Sequence, residues 1–149
     1  DEPFTGINVT EVQDLLKKRP MSQKALLFLD VCHAGSVGGE IKRRGNASSD
    51  DVVNLLANGT GVKVIASSQG REFSLENANF GGGHGAFTQA LLEALAGEAD
   101  KKGDKDNVVS VLELESYVSG RVPEITNGKQ HPMTPYADRF QDYPISYKP

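Results

Sequence analysis

The sequence predicts an α/β protein with a mostly parallel sheet. Residues 25–29 form a short, continuous apolar run, which is typical of a strand covered on both faces, and residues 62–67, apolar except for Lys63 and Ser67, predict a second strand. Segments with the periodicity of amphipathic helices precede and follow these runs. Helices that alternate with buried strands pack on both faces of such a sheet.

The first half of the chain carries signals for two helices. Thr10 and Gln13 have the spacing of a capping box, so a first helix is expected to begin there, and Pro20 ends it. Ser49 is expected to cap a second helix, which ends near Gly59 because glycine favours the residue after a helix.

The second half of the chain predicts two helices and a last strand. A glycine-rich loop leads into a helix over residues 86–99. Ser110 and Glu113 form a capping box that opens a helix to about residue 119, and a strand is expected over residues 140–145. The acidic stretch before Ser110 is interpreted as a helix-capping loop, because it lacks the first ligand and the turn glycine of a calcium loop. No cofactor or metal is expected, and calcium activation is left open.

Length and charge restrict the function classes. A chain of 149 residues suits one domain with a single core, and 38% hydrophobic and 24% charged residues are ordinary for a soluble globular protein. The net charge of −4, with no basic stripe, argues against nucleic acid as a partner. No apolar run approaches the roughly 18 residues of a membrane span, so no membrane partner is expected. A cytoplasmic location is predicted.

The one cysteine, Cys32, lies just past the carboxyl end of the first predicted strand. Ligands of open parallel sheets bind beyond the carboxyl ends of the strands, so Cys32 lies at the expected binding edge. The alternative is a small buried thiol, which is the usual state of a lone cysteine. The residues after Cys32, up to Ser49, are expected to form a long exposed loop.

Residues 27–35, Leu-Phe-Leu-Asp-Val-Cys-His-Ala-Gly, resemble the nucleophile segment of the caspase-like clan, in its metacaspase, paracaspase and bacterial orthocaspase branch. That branch usually has Ser at the position of Ala34. Three further segments resemble the same family in the same order, residues 66–76, 85–91 and 130–132. The resemblance extends over nearly the whole chain, and it implies that Cys32 is the nucleophile of a cysteine endopeptidase.

The resemblance also implies a caspase-like three-layer sandwich, of which this chain lacks the first strands. Residues 1–149 are then the C-terminal part of one peptidase domain, its nucleophile subunit. In caspases the catalytic His precedes the Cys by about 50 residues, which falls before residue 1. Since His33, His84 and His131 are poorly placed, the expected partner is an upstream subunit of the same precursor that carries the His.

Acidic residues mark the expected specificity pocket, S1. Caspases that cut after Asp have an Arg where the resemblance places Glu76, and Asp30 precedes the nucleophile by two residues, as in the Arg/Lys-cutting branch. Two carboxylates pair with a basic P1 side chain, the residue before the cleaved bond, and repel an acidic one. Ser67 and Ser74 are expected to line the same pocket. The implied substrates are proteins or peptides with Arg or Lys at P1.

Lys42, Arg43 and Arg44 follow the nucleophile in a glycine-flanked loop. An enzyme that prefers basic P1 residues could process itself there, as zymogens do; the alternative is a solvated loop. Two other interpretations of the whole chain are a catalytically silent caspase-like module with a regulatory or assembly role, and a flavodoxin-like binding domain with an incidental cysteine.

Overall fold

A computed structural model describes residues 8–18, 24–30, 49–70, 72–76, 80, 83–136 and 141–147. It has three layers, with helices on both faces of a short sheet. β1 (Ala25–Leu29) and β2 (Val62–Ala66) run parallel, with Ala25 opposite Val62 and Leu29 opposite Ala66. The α/β class and the parallel strand pair are therefore confirmed.

Two helices, α1 (Val9–Lys18) and α2 (Ser49–Ala57), cover one face of the sheet. Val64 and Ala66 of β2 point to this face, because side chains alternate along a strand, and they join Val53 of α2 in one buried cluster. One apolar stripe of α1 packs at the border of the same cluster. Burial of each such aliphatic side chain contributes about 1.5–3 kcal/mol, which holds α2 on the sheet.

The opposite face is covered by α3 (Ala86–Glu93) and α5 (Val111–Ile125). Ile65 of β2 points to this side and belongs to the larger of the two core clusters. Lys63 lies on the same face, and its buried ammonium forms an ion pair with Glu115 of α5. The other buried members of the cluster are Phe87, Ala90, Ala94, Ala99, Val109, Leu114, Tyr117, Val118 and Val122.

The helix predicted over residues 86–99 is interrupted. After α3 the backbone widens into a π-helical turn, Ala94–Glu98, in which Gly97 has a φ of 102°, and α4 (Ala99–Lys102) follows. Glycine takes this left-handed conformation without the steric cost of a Cβ atom, so the kink falls at Gly97. Helical periodicity in the sequence does not reveal such a kink, because the apolar stripe continues through it.

Two predicted capping boxes have different outcomes. The box of Ser110 and Glu113 is confirmed: Ser110 Oγ accepts from the Glu113 N–H at 3.3 Å, and Glu113 Oε2 accepts from the Ser110 N–H at 3.0 Å. The box at Thr10 is wrong, because Asn8 Oδ1 accepts from the Thr10 N–H at 3.0 Å and α1 begins at Val9. Gln13 is buried and donates instead to the Leu55 carbonyl of α2 at 2.6 Å.

The end of the chain differs from the prediction in two elements. α5 continues to Ile125, so Gly120 lies inside the helix instead of ending it. The last strand, β4 (Pro144–Tyr147), pairs antiparallel with β3 (Val108–Ser110), which the sequence pattern did not indicate because it is only three residues long. Residues 137–140, which include the start of the predicted strand, lie outside the described residues.

A polar network joins α3 to α5 around Glu93. Its Oε2 accepts from Arg121 Nε at 2.8 Å and from the Tyr117 hydroxyl at 2.9 Å, and its Oε1 accepts from Gln89 Nε2 at 2.8 Å. The hydrogen bond from Arg121 contributes most to a pKa of Glu93 that falls from the ordinary 4.5 to about 2. The network therefore stabilises the fold only while Glu93 is ionised.

Glu93→Gln should lower the free energy of unfolding at pH 7 by about 1–2 kcal/mol, since it removes a charge-assisted contact. Between pH 4.5 and 2 the unfolded chain protonates Glu93 while the folded chain does not, so stability falls with falling pH in that window. The wild-type advantage should therefore shrink from pH 4.5 to 2 in urea denaturation curves.

Glu124→Gln is the matched control, because Glu124 also pairs with Arg121 but its side chain is 60% exposed. We expect that control to change stability by less than about 0.5 kcal/mol. A wild-type advantage over Glu93→Gln that does not change from pH 6 to pH 2 would show that Glu93 titrates normally in the folded protein.

Candidate active site

The carboxyl ends of β1 and β2 meet at one edge of the sheet. Asp30 directly follows β1, and Ser67 directly follows β2, where its N–H donates to the Leu29 carbonyl at 2.8 Å. By strand alternation Asp30 shares the face of Phe28, and Ser67 shares the face of Ile65, which is the face covered by α3 and α5. This is the edge at which the sequence predicted a binding site.

The Asp30 carboxylate accepts one hydrogen bond at each oxygen. Ser74 Oγ donates to Oδ1 at 2.7 Å, and Thr88 Oγ1, in the first turn of α3, donates to Oδ2 at 2.8 Å. Both donors are neutral hydroxyls, so they orient the carboxylate without neutralising its charge. Asp30 is exposed, and each oxygen keeps a lone pair for a further donor.

Glu76 lies near the same place, opposite Gly85. The two residues form an isolated antiparallel bridge, next to which the Ala86 N–H donates to the Leu75 carbonyl at 2.9 Å. A Cβ atom added to Gly85 would stand 3.3 Å from Asp30 Oδ2 and 3.9 Å from Glu76 Cγ. The missing side chain of Gly85 thus leaves open the space between the two acidic side chains.

We call Asp30, Ser74, Glu76, Gly85 and Thr88 the acidic pocket. Across the described ranges, no Lys, Arg or His nitrogen lies within 4.0 Å of the Asp30 or Glu76 carboxylate. Both acidic residues are exposed. The acidic pocket therefore presents two carboxylates that are open to solvent, and that of Asp30 is held by neutral donors.

A buried glutamine fixes the segment that carries Ser74 and Glu76. The Gln130 side chain is fully buried; its Oε1 accepts from the Leu75 N–H at 2.8 Å, and its Nε2 donates to the Ser67 carbonyl at 2.8 Å. Gln130 therefore links the end of β2 to the segment 72–76 with both amide atoms satisfied, which an aliphatic side chain of the same length could not do.

The neighbouring His131 holds the start of the same segment. Glu72 Oε1 lies 2.8 Å from His131 Nδ1, and Glu72 Oε2 accepts from the His131 backbone N–H at 2.6 Å. The turn then continues to Met133, which pairs antiparallel with Ala66 on the edge of β2 opposite to β1. His131 is thus a structural contact of the segment 72–76.

The remaining predicted site residues have different positions. Ser67 is fully buried, and its hydroxyl has no hydrogen-bond partner within the described residues; only its backbone is bonded. His84 is exposed beside Gly85. The nucleophile and the basic loop lie outside the described residues: Cys32, His33, Lys42, Arg43 and Arg44.

The acidic loop before α5 is a separate feature. Within the described ranges, Asp100, Asp104 and Asp106 are the one group of three or more acidic, His or Cys side chains close enough to share a cation. They are oxygen donors of the kind that hard cations prefer. Their oxygens accept backbone N–H groups of the loop itself, and Glu113 accepts from the Asp104 N–H at 3.1 Å. These bonds account for their positions as a helix-capping loop, as the sequence predicted.

Sequence reasoning missed three residues of the site. Gly85, Thr88 and Gln130 all fall in segments that resemble the family, but no role was assigned to them. Gly85 and Thr88 flank the start of α3, and a hydroxyl residue one turn past a glycine is a signal that could have indicated a contact with the loop before the helix. Gln130 gave no signal, because nothing in its neighbours shows that it is buried.

The chain is an α/β domain with two exposed carboxylates at the carboxyl edge of two parallel strands, which is where sheets of this kind bind their ligands. A family model described as the caspase domain matches residues 1–142, and the chain belongs to this family. Membership of the caspase domain family indicates a hydrolase of the cysteine peptidase class. No curated protein and no solved structure matches the chain significantly.

No helix within the described ranges combines the length and the apolar character that crossing a bilayer demands.

Replacing Gln130 by Leu should leave the Leu75 N–H and the Ser67 carbonyl unpaired. Each buried group without a partner costs about 1–3 kcal/mol, so we expect a loss of at least 2 kcal/mol in the free energy of unfolding. We also expect amide exchange at Leu75 to accelerate by roughly tenfold or more relative to the Val64 amide in β2. Denaturation curves and hydrogen exchange measured by NMR check both effects.

Gln69→Leu is the matched control, since Gln69 is exposed two residues after Ser67. That control should leave the exchange of Leu75 unchanged. An exchange rate at Leu75 that stays the same in Gln130→Leu would contradict the role of Gln130 as the anchor of this segment.

Proposed function

We propose that this chain is the nucleophile-bearing part of a cysteine endopeptidase that cleaves peptide bonds after Arg or Lys, as in the metacaspase, paracaspase and orthocaspase branch. The observation that carries this proposal is the acidic pocket, in which Asp30 and Glu76 converge on Gly85 with no cation beside them in the described part of the chain. Family membership supports the peptidase chemistry, and the two carboxylates support the basic specificity.

The reaction would be acyl transfer through Cys32. The thiolate attacks the carbonyl carbon of the P1 residue, a His gives a proton to the leaving amine, and water then hydrolyses the thioester. A free Cys has a pKa of about 8.5, so a His partner is needed for enough thiolate at neutral pH. Asp30, two residues before Cys32, places the P1 contact next to the nucleophile in sequence.

The acidic pocket suits a basic P1 side chain for a physical reason. A carboxylate whose two oxygens are held by Ser74 and Thr88 cannot turn away from an incoming cation. Each charge-assisted hydrogen bond to that cation contributes about 1.5–3 kcal/mol, which is roughly 10–150-fold in affinity. An acidic P1 side chain would meet two like charges at close range and be repelled.

The segment 72–76 also suits the backbone of an extended substrate. The Leu75 N–H and carbonyl point inward, to Gln130 and Ala86, so by strand alternation the backbone groups of Glu76 point the other way. The Glu76 backbone makes no hydrogen bond to the described residues. A peptide that adds as a strand at this edge would pair with Glu76 and bring its P1 side chain to the acidic pocket.

The upstream segment with the catalytic His would complete the sheet beside β1. All five β1 residues are apolar yet only partly buried, whereas all five of β2 are buried. On the edge away from β2, β1 has no strand partner in the part of the chain that is described. We propose that a strand of the upstream subunit pairs there and that residues 1–149 are the C-terminal part of one domain.

We propose that His131 does not replace the upstream histidine. His131 lies on the far side of β2 from β1, at a distance of two strand spacings, or roughly 10 Å, from the end of β1. Its Nδ1 is held by Glu72.

The proposed preference for a basic P1 residue makes Lys42, Arg43 and Arg44 candidates for self-processing, which stays a prediction.

Cys32 should be the one nucleophile. A peptidyl chloromethylketone that ends in Arg should add one equivalent to Cys32 in the full-length protein, and Cys32→Ala should abolish both labelling and turnover. The 149-residue chain alone should be inactive, and the upstream segment added in trans should restore cleavage. Mass spectrometry of the adduct and a fluorogenic Arg peptide provide the measurements.

Three results would each contradict part of this proposal. Labelling at another residue would exclude Cys32. Full activity of the isolated chain would place the base within it. A full-length protein that neither labels nor cleaves would favour the catalytically silent caspase-like module instead.

Asp30→Asn should lower kcat/KM for Arg substrates by roughly 10–150-fold, because a neutral amide replaces the charged acceptor of P1. Glu76→Gln should act in the same direction but more weakly, since Glu76 has no side-chain donors that hold it in place among the described residues. Arg, Lys and Asp fluorogenic peptides should be measured on the wild type and both variants.

Glu98→Gln is the matched control, because it removes an exposed carboxylate in the π-helical turn that follows α3, away from the acidic pocket. Reaction of Cys32 with iodoacetamide should remain in every variant. Preference of the wild type for Asp, or an unchanged Arg rate in Asp30→Asn, would refute the assignment of the pocket but not that of the nucleophile.

A further inference from the structure

Thr88 contacts the acidic pocket from a helix that carries no other proposed site residue. Its hydroxyl donates to Asp30 Oδ2 at 2.8 Å, across 58 positions of sequence. The other carboxylate oxygen, Asp30 Oδ1, accepts from Ser74 Oγ at 2.7 Å. Thr88 is partly exposed, so the contact lies at the mouth of the acidic pocket and not in the core.

Helix formation does not explain a threonine at this position. Thr88 is the third residue of α3, where a β-branched side chain loses rotamer freedom and an acidic residue would interact better with the helix end. Gly85 caps the same helix without a side-chain hydrogen bond. Among the described residues, the hydrogen bond to Asp30 is the contact that accounts for the hydroxyl.

We propose that Thr88 is a positioning residue of the P1 site, which fixes the plane of the Asp30 carboxylate so that both oxygens face a guanidinium side by side. This inference rests on the proposed function. One hydroxyl alone leaves the carboxylate free to rotate about its Cβ–Cγ bond, whereas a donor at each oxygen fixes that rotation. A Cβ atom at Gly85 would stand 3.3 Å from Oδ2, so the absence of a side chain there keeps this oxygen accessible to a ligand.

The proposal distinguishes the two basic P1 residues. The planar guanidinium of Arg forms two parallel hydrogen bonds to a carboxylate, and it needs both oxygens in one plane. The ammonium of Lys is a compact charge with rotatable donors, which tolerates a turned carboxylate. Loss of the Thr88 hydroxyl should therefore weaken recognition of Arg more than recognition of Lys.

The test compares Thr88→Val, Thr88→Ser and the wild type as full-length proteins with matched Arg and Lys peptides. Thr88→Val keeps the shape and removes the donor, and we expect kcat/KM to fall roughly 5–20-fold for Arg but only about 2-fold for Lys. Thr88→Ser keeps a hydroxyl and should retain most of the wild-type Arg-to-Lys ratio. Thr10→Val, on the exposed surface of α1, is the control for a change of this kind away from the site.

The ratio of the two rates separates positioning from general damage. Thr88→Val would leave the Arg-to-Lys ratio unchanged if the rates for Arg and Lys fell equally or did not fall at all. Either result would overturn the role of Thr88 while leaving the proposed function intact. A wild-type protein that cleaves neither peptide would overturn the proposed function itself. Thermal denaturation shows whether each variant is folded, and active-site titration gives the reactive fraction by which its rates are corrected.

Discussion

The parallel pairing of β1 with β2 is the constraint on which the rest of the structure depends. Its register places the ends of both strands at one edge, so that Asp30 and Ser67 become neighbours although about 37 positions separate them in the chain. A shift by one residue would turn Asp30 toward α2 and away from Ser74 and Thr88. The apolar side chains of the strands point alternately into the two core clusters. They resist that shift, because each side chain would have to leave its own cluster and point to the opposite face.

The sequence predicted those parts of the fold that follow from local pattern. Two apolar runs and their flanking helices were enough for the parallel pair, and Ser110 with Glu113 marked the start of α5 correctly. The errors arose where tertiary contacts override local signals. Gln13 has the spacing of a capping residue, but its side chain donates to the Leu55 carbonyl of α2. Gly97 interrupts a helix whose apolar stripe is continuous.

The acidic pocket was predictable only in part, and the division has a physical basis. Asp30, Ser74 and Glu76 were chosen for their charge or position in segments that resemble a family, and the structure brings these three together. Thr88 makes one side-chain hydrogen bond across the fold and Gln130 makes two, and no periodicity in the sequence encodes such contacts. Ser67 is buried with its backbone bonded, so its predicted part in lining the pocket remains a prediction.

The dependence of the segment 72–76 on Gln130 has a consequence for synthesis on the ribosome. Leu75 and Gln130 are 55 positions apart, so the segment emerges long before the residue that anchors it. The segment 72–76 cannot be held in this shape until the turn at Gln130 has left the exit tunnel. The order of residues along the chain thus delays the completed edge beside Asp30 until translation has passed well beyond Gln130.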